Sequence, residues 1–471
     1  MGTLYEQLAS YHEKDIYPMH MPGHKRNLSM MGDCNAYAMD ITEIEEFDNL
    51  HDAEGIIRDS LIRAAKLYHC DQSYFLVNGS TVGLIAGILA ATNKKDQVLV
   101  ARNCHKAVYN ALYLNELQPI YIYPEFNEEV GCYEEVTTKA VKEALKANPN
   151  IELIILTSPT YEGVISKIDE IVGIAHAKNI PVLVDEAHGA HLPFGKDFGP
   201  SAISMGADLV IHSVHKTLPC FTQTALLHKS GILIDERKLE MYLQMLQSSS
   251  PSYLFMSSID RCMTLLEEQG EELFTSYKKA LNTFYERAEK LTHLSLYKVP
   301  KNQGIKRDPS KIVISVKNTT ITAVELYERL LHEYKIQMEM VSKDYVLAMT
   351  SICDTKEGFE RLLQALLEID ATLERSLECE SVVNIYHIPK LEQVMTSYEA
   401  FQCRYEKTPI TKANGKVSAE YVYLYPPGIP IVVPGEKITQ ELINGLEECE
   451  KAGLSIKGLK DPEKNSVLTI V

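Results

Sequence analysis

The chain of 471 residues carries a formal net charge of −17, from 47 Lys and Arg against 64 Asp and Glu, with 45% hydrophobic residues. That length predicts two or three domains, and the acidic balance opposes binding to nucleic acid or anionic membranes, which call for clustered positive charge. The 10 cysteines include no C-x-x-C pair, the first residues show no targeting pattern, and no apolar run reaches bilayer length, so a cytoplasmic chain with free thiols is expected.

From about residue 70 to 230, short apolar runs alternate with helix-length segments. The runs are 73–77 (SYFLV), 97–101 (QVLVA), 151–156 (IELIIL), 180–184 (IPVLV) and the shorter 208–211 (DLVI). Such runs read as buried strands of a βαβ sheet, in which ligands bind beyond the carboxyl ends of the strands. The five runs are followed by Asn78-Gly79-Ser80-Thr81, Arg102-Asn103-Cys104-His105, Thr157-Ser158-Pro159-Thr160-Tyr161, Asp185-Glu186-Ala187-His188 and His212-Ser213-Val214-His215-Lys216. Nearly every reactive cluster in this half therefore sits at a strand end. Residues 231–300 read as helical, with a serine break at 248–250. A strand at 311–316, a helix at 323–334, a strand near 345–348 and a helix at 356–375 make a small α/β unit. Residues 380–471 read as a loop-rich tail around Tyr425-Pro426-Pro427-Gly428-Ile429-Pro430, where proline forbids regular helix.

Gly79-Ser80-Thr81, between a strand and the helix 82–91, suits either an N-cap or an anion site. Asp185 at a strand end suits a metal ligand, a base, a partner for a cationic ring nitrogen or a helix cap. A lysine just after an apolar strand, such as Lys216, has its ammonium disfavoured by burial, which supplies the neutral amine that a Schiff base needs. An isolated lysine there is ordinarily a loop charge. Asp185 and Lys216, however, lie one βαβ unit apart and reach one cleft. His105 offers a ring for stacking or proton transfer. The pairs His188-x-x-His191 and His212-x-x-His215 raise a metal-hydrolase alternative, but no H-E-x-x-H motif accompanies them and no metal is expected.

Strand–GST–helix, strand–NCH, strand–SPTYEG, strand–DEAHGAH and strand–SVHKT, in that order, resemble the fold-type I pyridoxal-phosphate (PLP) enzymes. More narrowly, the chain resembles the Orn/Lys/Arg decarboxylase family. His20-Met21-Pro22-Gly23-His24-Lys25, Asp40-Ile41-Thr42-Glu43, Asp48-Asn49-Leu50-His51, the Y-P-P-G-I-P stretch and Pro434-Gly435-Glu436 extend the likeness over nearly the whole chain. The resemblance implies an α/β fold: a PLP-binding major domain with a mainly parallel sheet (1–300), a small α/β domain (301–380) and a carboxy-terminal decarboxylase region (381–471).

It also implies roles. Lys216 holds the cofactor covalently, Asp185 pairs with its ring nitrogen, and His105 and Ala187 flank the ring. Ser80, Thr81, Ser213 and His215 hold the phosphate, completed from a partner subunit by the stretch around Ser248 and Ser249. The implied reaction is decarboxylation of a basic amino acid (arginine before lysine or ornithine) that feeds polyamine synthesis. The competing readings are an aminotransferase or another PLP chemistry on the same residues, and an idle PLP-binding protein. Long family members carry a receiver-like domain ahead of the P-G-H segment, which here begins at Pro22, so a homodimer or small homo-oligomer is expected. Those long members also tend to carry an aromatic residue where His188 stands. Glu420 and Glu436, beside the carboxy-terminal signature, are speculative candidates for a pocket that accepts the substrate's cation.

Overall fold

The structure, a computed structural model, describes residues 4–11, 13–32, 36–195, 197–298, 306–374, 389–424, 428–451 and 455–471. At its centre lies a seven-stranded sheet of β1 (Gln72–Leu76), β2 (Gln97–Ala101), β3 (Gln118–Ile122), β4 (Ile151–Thr157), β5 (Val182–Asp185), β6 (Leu209–His212) and β7 (Ala225–Lys229). The order across the sheet is β1-β7-β6-β5-β4-β2-β3, and only β7 runs antiparallel to its neighbours. Every residue of β5, β6 and β7 is buried, as expected in β5 and β6 for largely apolar runs rich in Val and Ile and covered on both faces.

All five apolar runs are strands, and two further strands went unread. β3 (QPIYI) contains Pro119, which weakens a strand reading, and it lies at the sheet edge, where a missing N–H is tolerated. β7 ends on the polar His228 and Lys229, yet both are buried. His228 Nδ1 is 2.8 Å from Ser73 Oγ, and Lys229 Nζ donates to the Gly231 carbonyl at 3.1 Å.

Helices α1 (Gly79–Ala91) and α2 (Lys106–Leu114) follow β1 and β2. The long α3 (Tyr253–Arg287) begins after the serine break, with Ser252 Oγ accepting from Phe255 N–H. Its buried residues, among them Met256, Ile259, Met263, Leu266, Phe274, Tyr277, Leu281 and Phe284, recur at helical spacing and form one apolar stripe.

The small α/β unit forms as expected, with strands Lys311–Ser315 and Tyr345–Met349 paired antiparallel and helices Ala323–His332 and Lys356–Asp370 beside them. The expectation of a loop-rich tail is overturned. Strands Tyr405–Pro409 and Ser466–Ile470 pair with each other, and helix Gln440–Lys451 buries Leu442, Ile443 and Leu446 against Val422, Ile431 and Val432 in a separate apolar cluster. Proline excludes helix only locally, and the helix begins ten residues beyond Pro430. Tyr425, Pro426 and Pro427 lie outside the described residues, as do the expected domain limits at 300/301 and 380/381.

One segment stitches these parts together. Tyr17–Met19 pairs in parallel with Ile336–Met338 of the small unit. Beyond it, Gly23 N–H donates to the His215 carbonyl at 2.7 Å, and Ser351 Oγ donates to the Gly23 carbonyl at 2.5 Å. A Cβ at Gly23 would stand 2.6 Å from the Leu218 carbonyl oxygen, so only glycine fits this crossing. Lys25 Nζ donates to the His20 and Met349 carbonyls and lies 3.8 Å from Asp354. Among the described residues, no helix is long and apolar enough to cross a membrane.

Candidate active site

β5 and β6 are parallel neighbours, with Asp185 in register with Ile211, so the segments leaving them emerge at one edge. At that edge lies a cavity of about 440 Å³. Ser80, Thr81, His105, Asp185, Ala187, Ser213, His215 and Lys216, read from four separate segments, all line it.

Two local expectations need correction. Ser80 and Thr81 do not precede the helix but lie in its first turn, because α1 starts at Gly79, whose φ of +78° suits glycine. Asn78 stands at the N-cap without a capping side-chain bond, which leaves the uncapped dipole end open to an anion. Ser80 Oγ and Ser213 Oγ hydrogen-bond each other. Likewise, Lys216 is not on an extended strand end. A one-turn helix, Val214–Thr217, follows β6 and carries both His215 and Lys216.

Lys216 Nζ lies 3.0 Å from His188 Nε2. Burial holds its ammonium below the ordinary lysine range, although Asp185 and Glu339 pull the other way. Burial raises the Asp185 carboxyl in turn, opposed by Lys216 and by the Ala187 N–H, which donates to Oδ1 at 3.2 Å. Burial, reinforced by Lys216, lowers His105 to about 3, so its ring is neutral. His105 Nδ1 accepts from Ala107 N–H at 3.2 Å, which leaves the ring proton on Nε2. His215 Nδ1 donates to the Thr224 carbonyl at 2.7 Å, and burial lowers it to about 4.

The four histidines of the metal alternative diverge to separate partners. His188 faces Lys216, His191 Nε2 is 3.1 Å from Asp308, His212 Nε2 is 2.7 Å from Glu186, and His215 holds Thr224. Ser248 and Ser249 are exposed, and Ser248 N–H donates to Asn78 Oδ1 of its own chain at 3.4 Å. Glu420 and Glu436 are corrected outright, since neither lines the cavity. Glu420 accepts from the N–H groups of Lys460 and Leu468, and Glu436 forms a buried pair with Arg102 at 2.9 Å.

Residues not assigned from sequence also line the cavity. Burial drives the His188 imidazole well below its usual range, helped by Lys216, and the Tyr161 ring lies 4.4 Å from it. Tyr161 donates its hydroxyl to Glu339, whose other oxygen accepts from Met21 N–H at 2.9 Å. Tyr161 and Glu162 stood in a strand-end motif and were open to discovery. Glu339 lies between two short strands, where no motif marks it.

The family model for the Orn/Lys/Arg decarboxylase major domain matches residues 2–356, and that for its C-terminal domain matches 381–460. The chain belongs to the Orn/Lys/Arg decarboxylase family. It is 31% identical to the arginine decarboxylase of Bacillus subtilis, over 99% of this chain and 97% of that one. A second arginine decarboxylase, from Halalkalibacterium halodurans, is also 31% identical, over 97% of this chain and 95% of its own length. The crystal structure of the Francisella novicida lysine decarboxylase superposes with a TM-score of 0.79 at 20% identity, covering 100% of this chain and 84% of that one, which shows the shared fold. This family member is thus a PLP-dependent amino-acid decarboxylase of fold type I. The cavity suits that cofactor. It has an uncapped helix end for a phosphate, a half-buried lysine disfavoured as ammonium for an aldehyde, and a buried carboxylate for a ring nitrogen.

Proposed function

We propose that this cavity decarboxylates a basic amino acid, with arginine preferred over lysine and ornithine, in the cytoplasm and toward polyamine synthesis. Bound PLP supplies an electron sink for the pair left when the Cα–carboxylate bond breaks. Asp185 would keep the ring nitrogen protonated, His105 and Ala187 would flank the ring, and the α1 end with Ser80, Thr81, Ser213 and His215 would hold the phosphate. Lys216 anchors the aldehyde carbon. With its amine free, Lys216, beside the neutral His188, would hold and return a proton at Nζ.

The observation that carries the reading is the Lys216 amine, buried beside the Asp185 carboxylate with a neutral imidazole at 3.0 Å. Two further features support it. No arginine lines the cavity among the described residues, whereas an aminotransferase ordinarily grips the α-carboxylate with one. Three carboxylates (Glu162, Asp185 and Glu339) line it among the described residues, and Glu339, which makes no ion pair there, favours a cationic substrate. The full-length likeness to two arginine decarboxylases supports arginine as the first choice.

The active form is a homodimer or small homo-oligomer. Asn78, Thr81, Phe221, Thr222 and Ser248 are exposed around the phosphate end, where a reaction of this kind needs water excluded. A second copy related by a two-fold axis would cover that end, with its Ser248 and Ser249 beside the phosphate. The chain is divided at 300/301 and 380/381 into major domain, small domain and C-terminal region.

CO₂ release from arginine, lysine, ornithine, glutamate and alanine tests the reading. Arginine should lead, and faster release from glutamate or alanine would overturn the substrate class. Transfer of the amino group to a keto acid without CO₂ would establish an aminotransferase instead. Light scattering on the active holoenzyme should show at least a dimer.

A further inference from the structure

The three cavity carboxylates differ in how they are neutralised. Asp185 faces the charge of Lys216. Glu162 is buried, accepts the Tyr345 hydroxyl at 2.6 Å, and is pushed by burial toward its neutral acid. Glu339 is only half-buried, and its two oxygens accept from neutral donors, the Tyr161 hydroxyl and the Met21 N–H. It makes no ion pair among the described residues. Each oxygen keeps acceptor capacity after one such bond, and a carboxylate presents the paired geometry that a guanidinium matches.

Glu339 is also held firmly. It joins strands Ile336–Met338 and Met340–Val341, and its N–H donates to the Leu347 carbonyl at 3.0 Å. It influences Lys216 through space without bonding to Nζ. The substrate's α-amine must reach the atoms around Nζ, so a carboxylate set back from Nζ is available for the far end of the side chain.

We infer that Glu339, braced by Tyr161 and Met21, receives the distal cation of the substrate and sets the preference for basic over neutral side chains. This rests on the decarboxylase reading above. Tyr161 ties the two ends of the cavity together, because the same side chain that braces Glu339 packs on the His188 ring beside Lys216.

The test uses Glu339→Gln and Glu339→Asp holoenzymes with two readouts. The first is kcat and KM for CO₂ release from arginine and from citrulline, its uncharged isostere. The second is calorimetric binding of agmatine and of N-carbamoylputrescine, which have no carboxylate to lose and therefore report recognition without catalysis. The wild type should favour the charged member of each pair, and Glu339→Gln should shrink that preference by about 10- to 100-fold, the scale of a charge-assisted hydrogen bond. The loss should appear mainly in KM, and Glu339→Asp should restore part of it. An unchanged preference in Glu339→Gln, or an equal loss for both members of each pair, would overturn the inference. If arginine releases no CO₂ from the wild type but the calorimetric preference is present and falls in Glu339→Gln, the decarboxylase reading fails and the role of Glu339 stands.

Discussion

Two basic side chains leave the carboxyl edge of the same sheet, the buried Arg102 after β2 and the half-buried Lys216 after β6, and their surroundings are opposite. Arg102 is saturated. Its Nη2 and Nε donate to Glu436, its Nη1 to the Pro430 carbonyl and Tyr109 hydroxyl, and its Nη2 also to the Ile431 carbonyl. Among the described residues Lys216 has one close partner, a neutral imidazole. A buried charge with every donor answered clamps one element to another, here the C-terminal region to the major domain. A buried charge left poorly answered gives up its proton easily, and that readiness is chemical capacity.

The strongest way to break the contrast is Lys216→Ala. CO₂ release should fall to background while the urea midpoint holds or rises, because an ill-served buried amine is being removed. Borohydride trapping followed by peptide mapping should lose its label at this position, and retained labelling elsewhere with activity would end the assignment. Glu436→Ala should do the reverse. It strands the Arg102 guanidinium in a dry site, at a cost of about 3–5 kcal/mol in urea unfolding. If stability instead matched the wild type, the clamp would be ornamental. Asp185→Asn should keep the fold and some cofactor but lose on the order of 100-fold or more in kcat, comparable to removal of one preorganised electrostatic group.

The smallest effect concerns a third buried set, Glu186 with His212 and His228, in which burial favours the uncharged forms. His212 is lowered to about 3, His228 well below its normal range, and Glu186 is raised to about 8. The native histidines bind protons less readily than unfolded ones, so their contribution is complete above about 6.5 and is lost as pH falls toward 3. Glu186 works the opposite way between about 4.5 and 8. From pH 6.5 to 4.5, two imidazoles against one carboxyl leave a net loss of at most about 1.4 kcal/mol per pH unit. Urea midpoints measured across that range should decline, and Glu186→Gln should steepen the decline.

The same contrast explains what was legible in the sequence. Lys216, Asp185, His105 and the GST turn were readable because each follows an apolar run, and a parallel sheet gathers such positions at one edge. β3 and β7 were hidden by Pro119 and by His228-Lys229, whose acceptability depends on edge position and on Ser73, a residue on another strand. Glu436 drew attention as an acid within a signature, but its meaning lies in Arg102, 334 positions away. Glu339 was invisible for the complementary reason. Two short strands and a distant tyrosine place it in the cavity, and none of them leaves a local pattern.

The crossing at Gly23 bears on when this enzyme becomes an enzyme. Tyr17 donates its hydroxyl to Asp354, 337 positions later, and at roughly 5–20 residues per second that interval lasts on the order of 20–70 s on a ribosome. The Lys216 turn emerges within that interval, and until it ends the turn lacks the strand partners that hold the Gly23 segment across it. The Lys216 turn is therefore walled in only when the small unit arrives, so the cavity is the last part of the major domain to be completed.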